Sequence, residues 1–472
     1  MSVLKQLAGR RILLLNWRDR ANPAAGGAES FTEEVAQRFV QAGAAVTLFT
    51  SAYSGAEPYD WSSGYLVIRK GGRFGVYAAA GRHLRRYADH YDAVIDFQNG
   101  IPFFAPLWGP AKLPVVCVVH HVHQQQFDQY FRWPLNLVGR LLEGRVSRII
   151  YGDRPMVAVS PSTRAEMRRE LRFRGHIHVV PAGMAPSRAV AVQKSARPSI
   201  AVVTRLVPHK RFDHLIAAVP QLLSKWPELR VVVAGDGEER GPLIAEVQRL
   251  GLQDVVKLPG RVSEETKAEL LGAAWLTVAP SAAEGWGLTV IEGNALGTPA
   301  VAYDVPGLRD SIRPGVTGWL TRDGESLADA ISDALHELSD DERRAQVSAA
   351  ARSWAGSFSW DITAERLAGV LLAEMRYRPQ DMTERRQAVD LATVASWPAE
   401  LAGQIVPVLE QGLRSTDTVV SDANGVRALL AGCDEIGAVK AMSRIAVPFP
   451  ELRLATRADV VAVHGGETRC PA

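Results

Sequence analysis

Two basic residues follow the first strand of the second half of the chain. Arg205 and Lys210 lie in the segment Thr-Arg-Leu-Val-Pro-His-Lys-Arg-Phe, directly after the apolar run Ser199 to Val203. Parallel α/β sheets bind ligands at the carboxyl ends of their strands, so this loop is placed to meet one. Two fixed cations suit a diphosphate and would neutralise charge building on a departing nucleotide. The alternative is a solvated basic loop.

Two acidic residues lie eight positions apart in the glycine-rich segment Ser-Ala-Ala-Glu-Gly-Trp-Gly-Leu-Thr-Val-Ile-Glu, which ends at Glu292. Gly285 and Gly287 leave backbone N–H groups accessible to a ligand. We expect Glu284 on the loop and Glu292 in the first turns of the next helix. A carboxylate there accepts hydrogen bonds from vicinal hydroxyls, which suits Glu292 to a ribose and Glu284 to a donor sugar. The alternative is a surface helix cap carrying two acids.

A Gly-Gly turn, Gly26 and Gly27, precedes the first long helix of the chain. Glycines before a helix form an anion cradle from backbone amides and the helix dipole. The segment is not Gly-x-Gly-x-x-Gly, so it does not indicate a nicotinamide cofactor. The alternative is a turn in which the glycines only permit close packing.

Three histidines follow the strand Pro114 to Val119: His120, His121 and His123. Their spacing at a strand end does not direct three rings at one ion, so we predict no metal site. We expect His120, the nearest to the strand end, to hydrogen-bond a sugar hydroxyl. Asp-x-Asp, which transferases use to hold a divalent ion against a diphosphate, does not occur in the chain. Fixed Arg and Lys charges would replace that ion.

These residues require strands that end at a common edge. Alternating strand and helix patterns occur twice, separated by a loose stretch from Ala182 to Pro198, and they predict two α/β domains with parallel sheets. Helices are predicted at 29–42, 213–223 and 357–375. Strands are predicted at 11–17, 45–50, 65–68, 93–97, 114–119, 156–160, 176–180, 199–203, 230–234, 255–258, 275–279 and 299–303.

The last hundred or so residues differ in character. Helical patterns occur at 391–413 and 426–445, a strand pattern occurs at 459–463, and no catalytic motif is visible. We predict an appended small α-rich module of unknown role at 377–472.

Bulk composition narrows the class of protein. The chain has 472 residues and a net charge of +3, too weakly basic to indicate nucleic acid as a partner. Its cysteines, Cys117, Cys433 and Cys470, have no metal or disulfide spacing and fit a reducing compartment. No run of 18 apolar residues occurs, and the charged N-terminus does not resemble a signal peptide. We expect a cytoplasmic protein.

Peripheral contact with a membrane is a further hypothesis. Basic stretches at 82–86 and 164–174 could face anionic lipid, and the partly amphipathic segment 132–142 could help. Solvated helix faces rich in arginine explain the same composition.

Together these motifs resemble the family 4 glycosyltransferases over about residues 11–375. The series Arg-x-x-x-x-Lys, Val-Ala-Gly-Asp-Gly, Pro-Ser-x-x-Glu-Gly-x-Gly-x-x-x-x-Glu and Gly-Thr-Pro-Ala-Val-Ala occurs in this order. Gly-Gly-Ala-Glu and the histidine after Pro-Val-Val-Cys-Val-Val also match. The chain departs from the pattern at Trp286, where Phe is common, and at Ala182, where many members have Asn.

The resemblance implies the GT-B architecture, in which two Rossmann-like domains with parallel sheets face a cleft. The implied boundaries are 1–182 for the acceptor domain, 199–358 for the donor domain and 359–376 for a returning helix. Transfer would proceed with retention and without metal or another cofactor. A UDP-sugar is favoured over a GDP-sugar as co-substrate, and the hydroxyl acceptor stays open.

The resemblance also implies a role for each site residue. Arg205 and Lys210 would bind the diphosphate, Glu292 the ribose, and Glu284 the donor sugar, with His120 at the reacting centre. The remaining donor-binding positions would be the phosphate-side turn, the amides after Glu284 and the loop beside the base: Gly26, Gly27, Gly285, Trp286, Gly287, Leu288, Gly260, Arg261 and Val262. A related phosphorylase or epimerase, and a sugar-nucleotide sensor without catalysis, are the alternatives.

Overall fold

The protein is described by a computed structural model. It describes residues 2–376 except 62, 153, 174 and 185–191, and residues 392–455 except 415–416, 424, 434–437, 439–440, 443, 446 and 449. The chain divides into two compact units, 1–377 and 378–472. Within the described residues, none of the helices has the length and apolar character needed to span a bilayer.

The N-terminal domain contains an eight-stranded sheet in the order β3-β4-β2-β1-β5-β6-β7-β8, parallel except between β3 and β4. All residues of the central strands β5 and β6 are buried, because helices cover both faces of the sheet. The strands are β1 Arg11–Leu15, β2 Ala45–Thr50, β3 Tyr59–Asp60, β4 Leu66–Arg69, β5 Ala93–Gln98, β6 Val115–Val119, β7 Met156–Ala158 and β8 Ile177–Val179. The helices are α1 Gly27–Gln41, α2 Gly72–Tyr87, α3 Gln124–Tyr130, α4 Leu135–Leu141, α5 Ser147–Tyr151 and α6 Pro161–Arg169.

The central domain contains two three-stranded parallel sheets, β11-β10-β9 and β12-β13-β14. A bridge between Ile200 and Leu276 joins them edge to edge. The strands are β9 Ser199–Val203, β10 Arg230–Ala234, β11 Val256–Lys257, β12 Thr277–Ala279, β13 Ala300–Tyr303 and β14 Gly318–Thr321. The helices are α7 Phe212–Lys225, α8 Arg240–Arg249, α9 Glu264–Ala273, α10 Leu288–Ala295, α11 Leu308–Ser311, α12 Leu327–Ser339 and α13 Asp341–Ala355.

Two chain segments connect these domains and pair with each other. Met184 donates its backbone N–H to Phe358 O at 3.0 Å, and a bridge joins Met184 to Ser359. Helix α14, Trp360–Arg376, then returns to the N-terminal domain, where Arg38 Nε lies 2.5 Å from Asp361 Oδ1. The two domains therefore share a two-stranded hinge.

The second unit corrects the prediction of an α-rich module. It contains a four-stranded antiparallel sheet in the order β16-β17-β15-β18. The predicted helix at 426–445 overlaps strand β17, whereas the predicted helix at 391–413 contains strand β15 at its start and a helix at 402–412. The elements are β15 Thr393–Trp397, α15 Ala402–Gly412, β16 Thr418–Asp422, β17 Gly425–Leu430 and β18 Glu451–Leu454. The predicted strand at 459–463 lies outside the described residues.

Candidate active site

A buried ion pair lies at the carboxyl edge of the central domain. Lys210, in a short 3-10 turn after β9, pairs through Nζ with Glu284 Oε1, and Ser281 Oγ donates to the same oxygen at 2.9 Å. Only 14% of the Lys210 side chain and 17% of the Glu284 side chain are exposed. Burial alone would raise the pKa of Glu284, but Lys210 and the Ser281 hydroxyl lower it below its usual value. Glu284 therefore stays ionised and holds Lys210 in place.

The Gly-Gly turn of the N-terminal domain faces the second predicted cation. Arg205 Nη1 donates to Ala24 O at 3.3 Å. A Cβ on Gly26 would lie 3.0 Å from the Arg205 guanidinium carbon, and one on Gly27 would lie 3.8 Å from Leu288 Cδ2. The turn thus lies against Arg205 and the start of α10.

Gly285 lies directly against the N-terminal domain. A Cβ added there would be 1.9 Å from the carbonyl oxygen of His120. From the other side, Thr163 Oγ1 donates to Gly285 O at 3.3 Å. Only a residue without a side chain permits this approach between the two domains.

The histidine loop is built into the same contact. The ring of His120 stacks on Phe97 with centroids 5.8 Å apart and meets Phe31 edge-on at 5.2 Å. Burial lowers the pKa of His120 to about 3, so the ring is neutral at physiological pH. Burial, and then the neighbouring charges of His123, His209 and Lys210, lower the pKa of His121 further.

Two ring nitrogens of this loop are candidate hydrogen-bonding groups for a ligand. His120 Nε2 and His121 Nδ1 are buried and have no hydrogen-bond partner within the part of the chain that the structure describes. His123 is different, because its N–H donates to Glu143 Oε1 at 2.7 Å and its Nδ1 lies 2.8 Å from His121 O. No group of three or more His, Cys, Asp or Glu side chains able to hold a metal occurs among the described residues.

Glu292 lies apart from the Lys210–Glu284 pair, on helix α10, as the sequence predicts. Lys267 Nζ contacts Glu292 Oε1 at 3.0 Å and Glu264 Oε2 at 2.7 Å. Burial opposes the charge on Lys267, but the two carboxylates raise its pKa above the usual value. Glu292 lines a cavity of about 450 Å³ between the domains, together with Arg20, Ser30, Glu34, Met184, Lys267, Leu288 and Trp360.

Three other predicted donor-binding residues lie on the loop before α10 and at the start of that helix. Gly287 has φ +79° and begins α10 against Ser311, where a Cβ would lie 2.7 Å from Ser311 Oγ. Trp286 is buried and packs edge-on against Phe358, so its ring supports the loop from behind. The contact predicted at this position is a backbone amide, and the indole Nε1 is buried without a hydrogen-bond partner among the described residues. Leu288 is partly buried beside the Gly-Gly turn.

The loop predicted to contact the nucleotide base, residues 260–262, touches both domains. Gly260 O accepts from Gly235 N at 2.8 Å, which ties the loop to the end of β10. Arg261 Nη2 donates to Pro23 O at 3.3 Å, next to the Gly-Gly turn, and Val262 is partly exposed.

Several supporting residues were not assigned roles from the sequence. Glu29 is buried and accepts from Gly26 N at 2.7 Å and from Arg18 Nε at 2.9 Å. The carboxylate therefore fixes the Gly-Gly turn and pairs with Arg18. The signal was present, because an acid three residues after a helix N-cap is the capping-box pattern. Lys267 and Ser281 gave no comparable signal.

Family models match both domains. Residues 186–354 match the family described as Glycosyl transferases group 1, and residues 25–188 match Glycosyltransferase Family 4. Among curated relatives, the D-inositol 3-phosphate glycosyltransferase of Thermobispora bispora is 38% identical over 36% of this chain and 41% of its own length. The protein of the same name from Nocardiopsis dassonvillei is 28% identical over 74% of this chain and 90% of its own length.

A further relative, from Corynebacterium glutamicum, is a GDP-mannose-dependent monoacylated alpha-(1-6)-phosphatidylinositol monomannoside mannosyltransferase. It is 33% identical over 38% of this chain and 48% of its own length. The chain spans about half the length of the first curated relatives it matches, 41% to 54% of each.

Solved structures share the fold. Sucrose-phosphate synthase from Thermosynechococcus elongatus superposes with a TM-score of 0.65 at 19% identity, over 77% of this chain and 98% of that chain. The Anabaena protein HepE in complex with UDP and glucose superposes with a TM-score of 0.59, also at 19% identity, over 77% of this chain and 100% of that chain. These likenesses confirm the predicted two-domain GT-B architecture.

Proposed function

The chain belongs to the family 4 glycosyltransferases, and from that membership we propose that it moves a hexose from a nucleoside-diphosphate donor to a hydroxyl acceptor with retention of anomeric configuration. One observation carries the proposal. Arg205 lies against the Gly26–Gly27 turn of the N-terminal domain, and the Lys210–Glu284 pair adjoins Gly285, which lies against His120 of that domain. Cations and a carboxylate at one boundary between two parallel-sheet domains match the groups of a sugar diphosphate.

The contacts suggest which residues bind each part of the donor. Arg205 and Lys210 would hold the diphosphate, and Glu284 would direct Lys210 while accepting hydrogen bonds from sugar hydroxyls. Glu292, held by Lys267, would accept from the ribose hydroxyls. The base would lie beside Gly260, Arg261 and Val262.

The chemistry needs no side-chain nucleophile. The bond from the sugar C1 to the diphosphate oxygen breaks as the acceptor oxygen bonds to C1 from the same face, which retains the configuration. The leaving phosphate oxygen takes the acceptor's proton. The protein contributes positioning and positive charge, which replace a metal ion here. His120, neutral at physiological pH, would hydrogen-bond the sugar at the reacting centre.

The acceptor is proposed only by chemical class. Two of the relatives above are named for D-inositol 3-phosphate, so a phosphorylated polyol is the first acceptor to test.

Donor binding is the direct test. The purified chain is titrated with UDP-sugars and with GDP-sugars by calorimetry, with and without a chelator. We expect micromolar binding of one nucleotide that the chelator leaves unchanged. Removing one charge contact costs on the order of 3 kcal/mol, so Arg205→Ala and Glu292→Ala should each weaken binding roughly a hundredfold.

The control is Arg249→Ala, which removes an exposed arginine paired only with its neighbour Glu246 on α8. That variant should bind the donor like the parent chain. If the folded protein binds no sugar nucleotide, the transferase proposal fails and a scaffold role takes its place. If donor and inorganic phosphate alone yield a sugar phosphate, the phosphorylase alternative is correct.

A further inference from the structure

The segment from Trp133 to Ile149 in the N-terminal domain exposes a row of large apolar side chains on α4, on α5 and just before α4. The exposed fractions are 77% for Trp133, 50% for Leu137, 46% for Val138, 50% for Leu141 and 69% for Ile149. Single exposed apolar residues are common on protein surfaces, but several within one short segment indicate an interaction site.

Leu137 and Leu141 point away from the domain because of how α4 packs on it. Gly139 is buried against Phe127, so closely that a Cβ would overlap the ring. A helix turns about 100° per residue, so positions two before and two after Gly139 lie on the opposite side. Those positions are Leu137 and Leu141. The domain therefore uses the glycine side of the helix and leaves the leucine side uncovered.

The exposed charges around this row are mostly positive. Between residues 131 and 150 the basic residues are Arg132, Arg140, Arg145 and Arg148, and the one acid, Glu143, is fully buried. Arg140 is paired with Asp128 at 3.1 Å, with both side chains 45% exposed. An apolar row that includes a tryptophan, bordered by arginines, is the composition of helices that lie in a membrane interface.

We propose that this surface, named the 133–149 face, docks on a bilayer that contains anionic lipid. The leucines and Trp133 enter the interface, and Arg132, Arg145 and Arg148 contact lipid phosphates. The arginines favour anionic lipid as the partner, because a face that binds a neutral protein would not require a basic border.

The face is coupled to the candidate active site by one buried residue. Glu143 follows α4 on the side of Gly139, and its carboxylate accepts from His123 N at 2.7 Å and from Gln124 Nε2 at 2.7 Å. The histidine loop therefore lies about one helix diameter, roughly 10 Å, from the docking face. A docked protein holds its cleft close to the lipid surface, within reach of an acceptor that projects from it.

Vesicle co-sedimentation of the full chain tests this proposal without any sugar nucleotide, so its result is independent of donor binding. The vesicles contain phosphatidylcholine alone or mixed with phosphatidylglycerol. We expect binding to the mixed vesicles, weakened by salt. Arg145→Gln should lower the partition coefficient about fivefold, and a Leu137→Ser/Leu141→Ser double variant roughly tenfold or more.

The matched control is Ile362→Ser, which removes another exposed aliphatic side chain, on α14. Melting temperature and donor titration show whether each variant is folded. Equal binding of the double variant and the parent would overturn the proposal. Binding to vesicles of phosphatidylcholine alone that Arg145→Gln leaves unchanged would also overturn the proposal. Self-association of the parent that the double variant abolishes, without vesicle binding, would assign the face to a second copy of the chain.

Discussion

The substitution Gly285→Ala adds one methyl group, which should slow catalysis while leaving the folded protein stable. Gly285 belongs to the loop of the central domain that carries Glu284, and its α-carbon faces the carbonyl oxygen of His120 in the N-terminal domain. Its backbone is not among the positive-φ glycines, so alanine fits the local conformation. The cost of Gly285→Ala therefore arises only where the two domains meet.

The size of the effect follows from the geometry. The added Cβ would lie 1.9 Å from His120 O, whereas close carbon–oxygen contacts lie at about 3.3 Å. The domains must separate by roughly 1.4 Å at this point, the difference between these distances. Displacements of about 1 Å in an active site cost on the order of a hundredfold in rate. We expect kcat to fall by about that factor, with thermal stability nearly unchanged.

Steady-state kinetics with the donor identified by calorimetry, together with thermal unfolding, measures both quantities. Gly241→Ala is the control, because Gly241 lies in α8 with no heavy atom near its Cβ position. That variant should keep full activity. A Gly285→Ala enzyme with kcat within twofold of the parent would show that this contact plays no part in closure.

Two further predictions concern buried charge. Lys210→Met leaves Glu284 buried without its cation and should lower the free energy of unfolding by about 2 kcal/mol at neutral pH, by urea denaturation. The loss should shrink as pH falls below the usual carboxyl range, because a protonated Glu284 needs no cation; a constant loss would contradict the pairing. Burial, and then Glu170 and Asp310, raise the pKa of Glu166 to about 7 from 4.5. The folded state thus binds this proton more tightly, and its stability falls as pH rises through that window. Glu166→Gln removes the fall, so the free energy of unfolding of this variant should exceed that of the parent increasingly from pH 4.5 to about 7. The difference should reach on the order of 1 kcal/mol after screening, and parallel pH profiles would contradict the prediction.

The first 376 residues were predictable because each buried strand is a short apolar run bounded by turn residues. Strands β2, β9 and β10 have the predicted ends, and the other predicted strands of these two domains are present within a few residues. The carboxyl-end rule for parallel sheets then placed Arg205, Lys210 and Glu284 at one edge. Elements too short for a periodic signal, such as β3 and β14, were missed.

Other features depended on contacts that no local pattern encodes. The approach of Gly285 to His120 and the pairing of Lys267 with Glu292 join residues distant in sequence. In the second unit, the apolar run in β17 has spacing that fits a helix as well as a strand. Pairing with β15 and β16 decides for the strand.

The return of α14 to the N-terminal domain has a consequence for synthesis of the chain. Helix α14 packs beside α1, and its Thr363 Oγ1 donates to Pro181 O at 2.8 Å. The domain translated first is therefore completed by residues translated after the whole central domain. On the ribosome its α1 surface stays uncovered until residue 376 has emerged. The last helix of the central domain, α13, ends at Ala355, so this domain can fold before the N-terminal domain is complete.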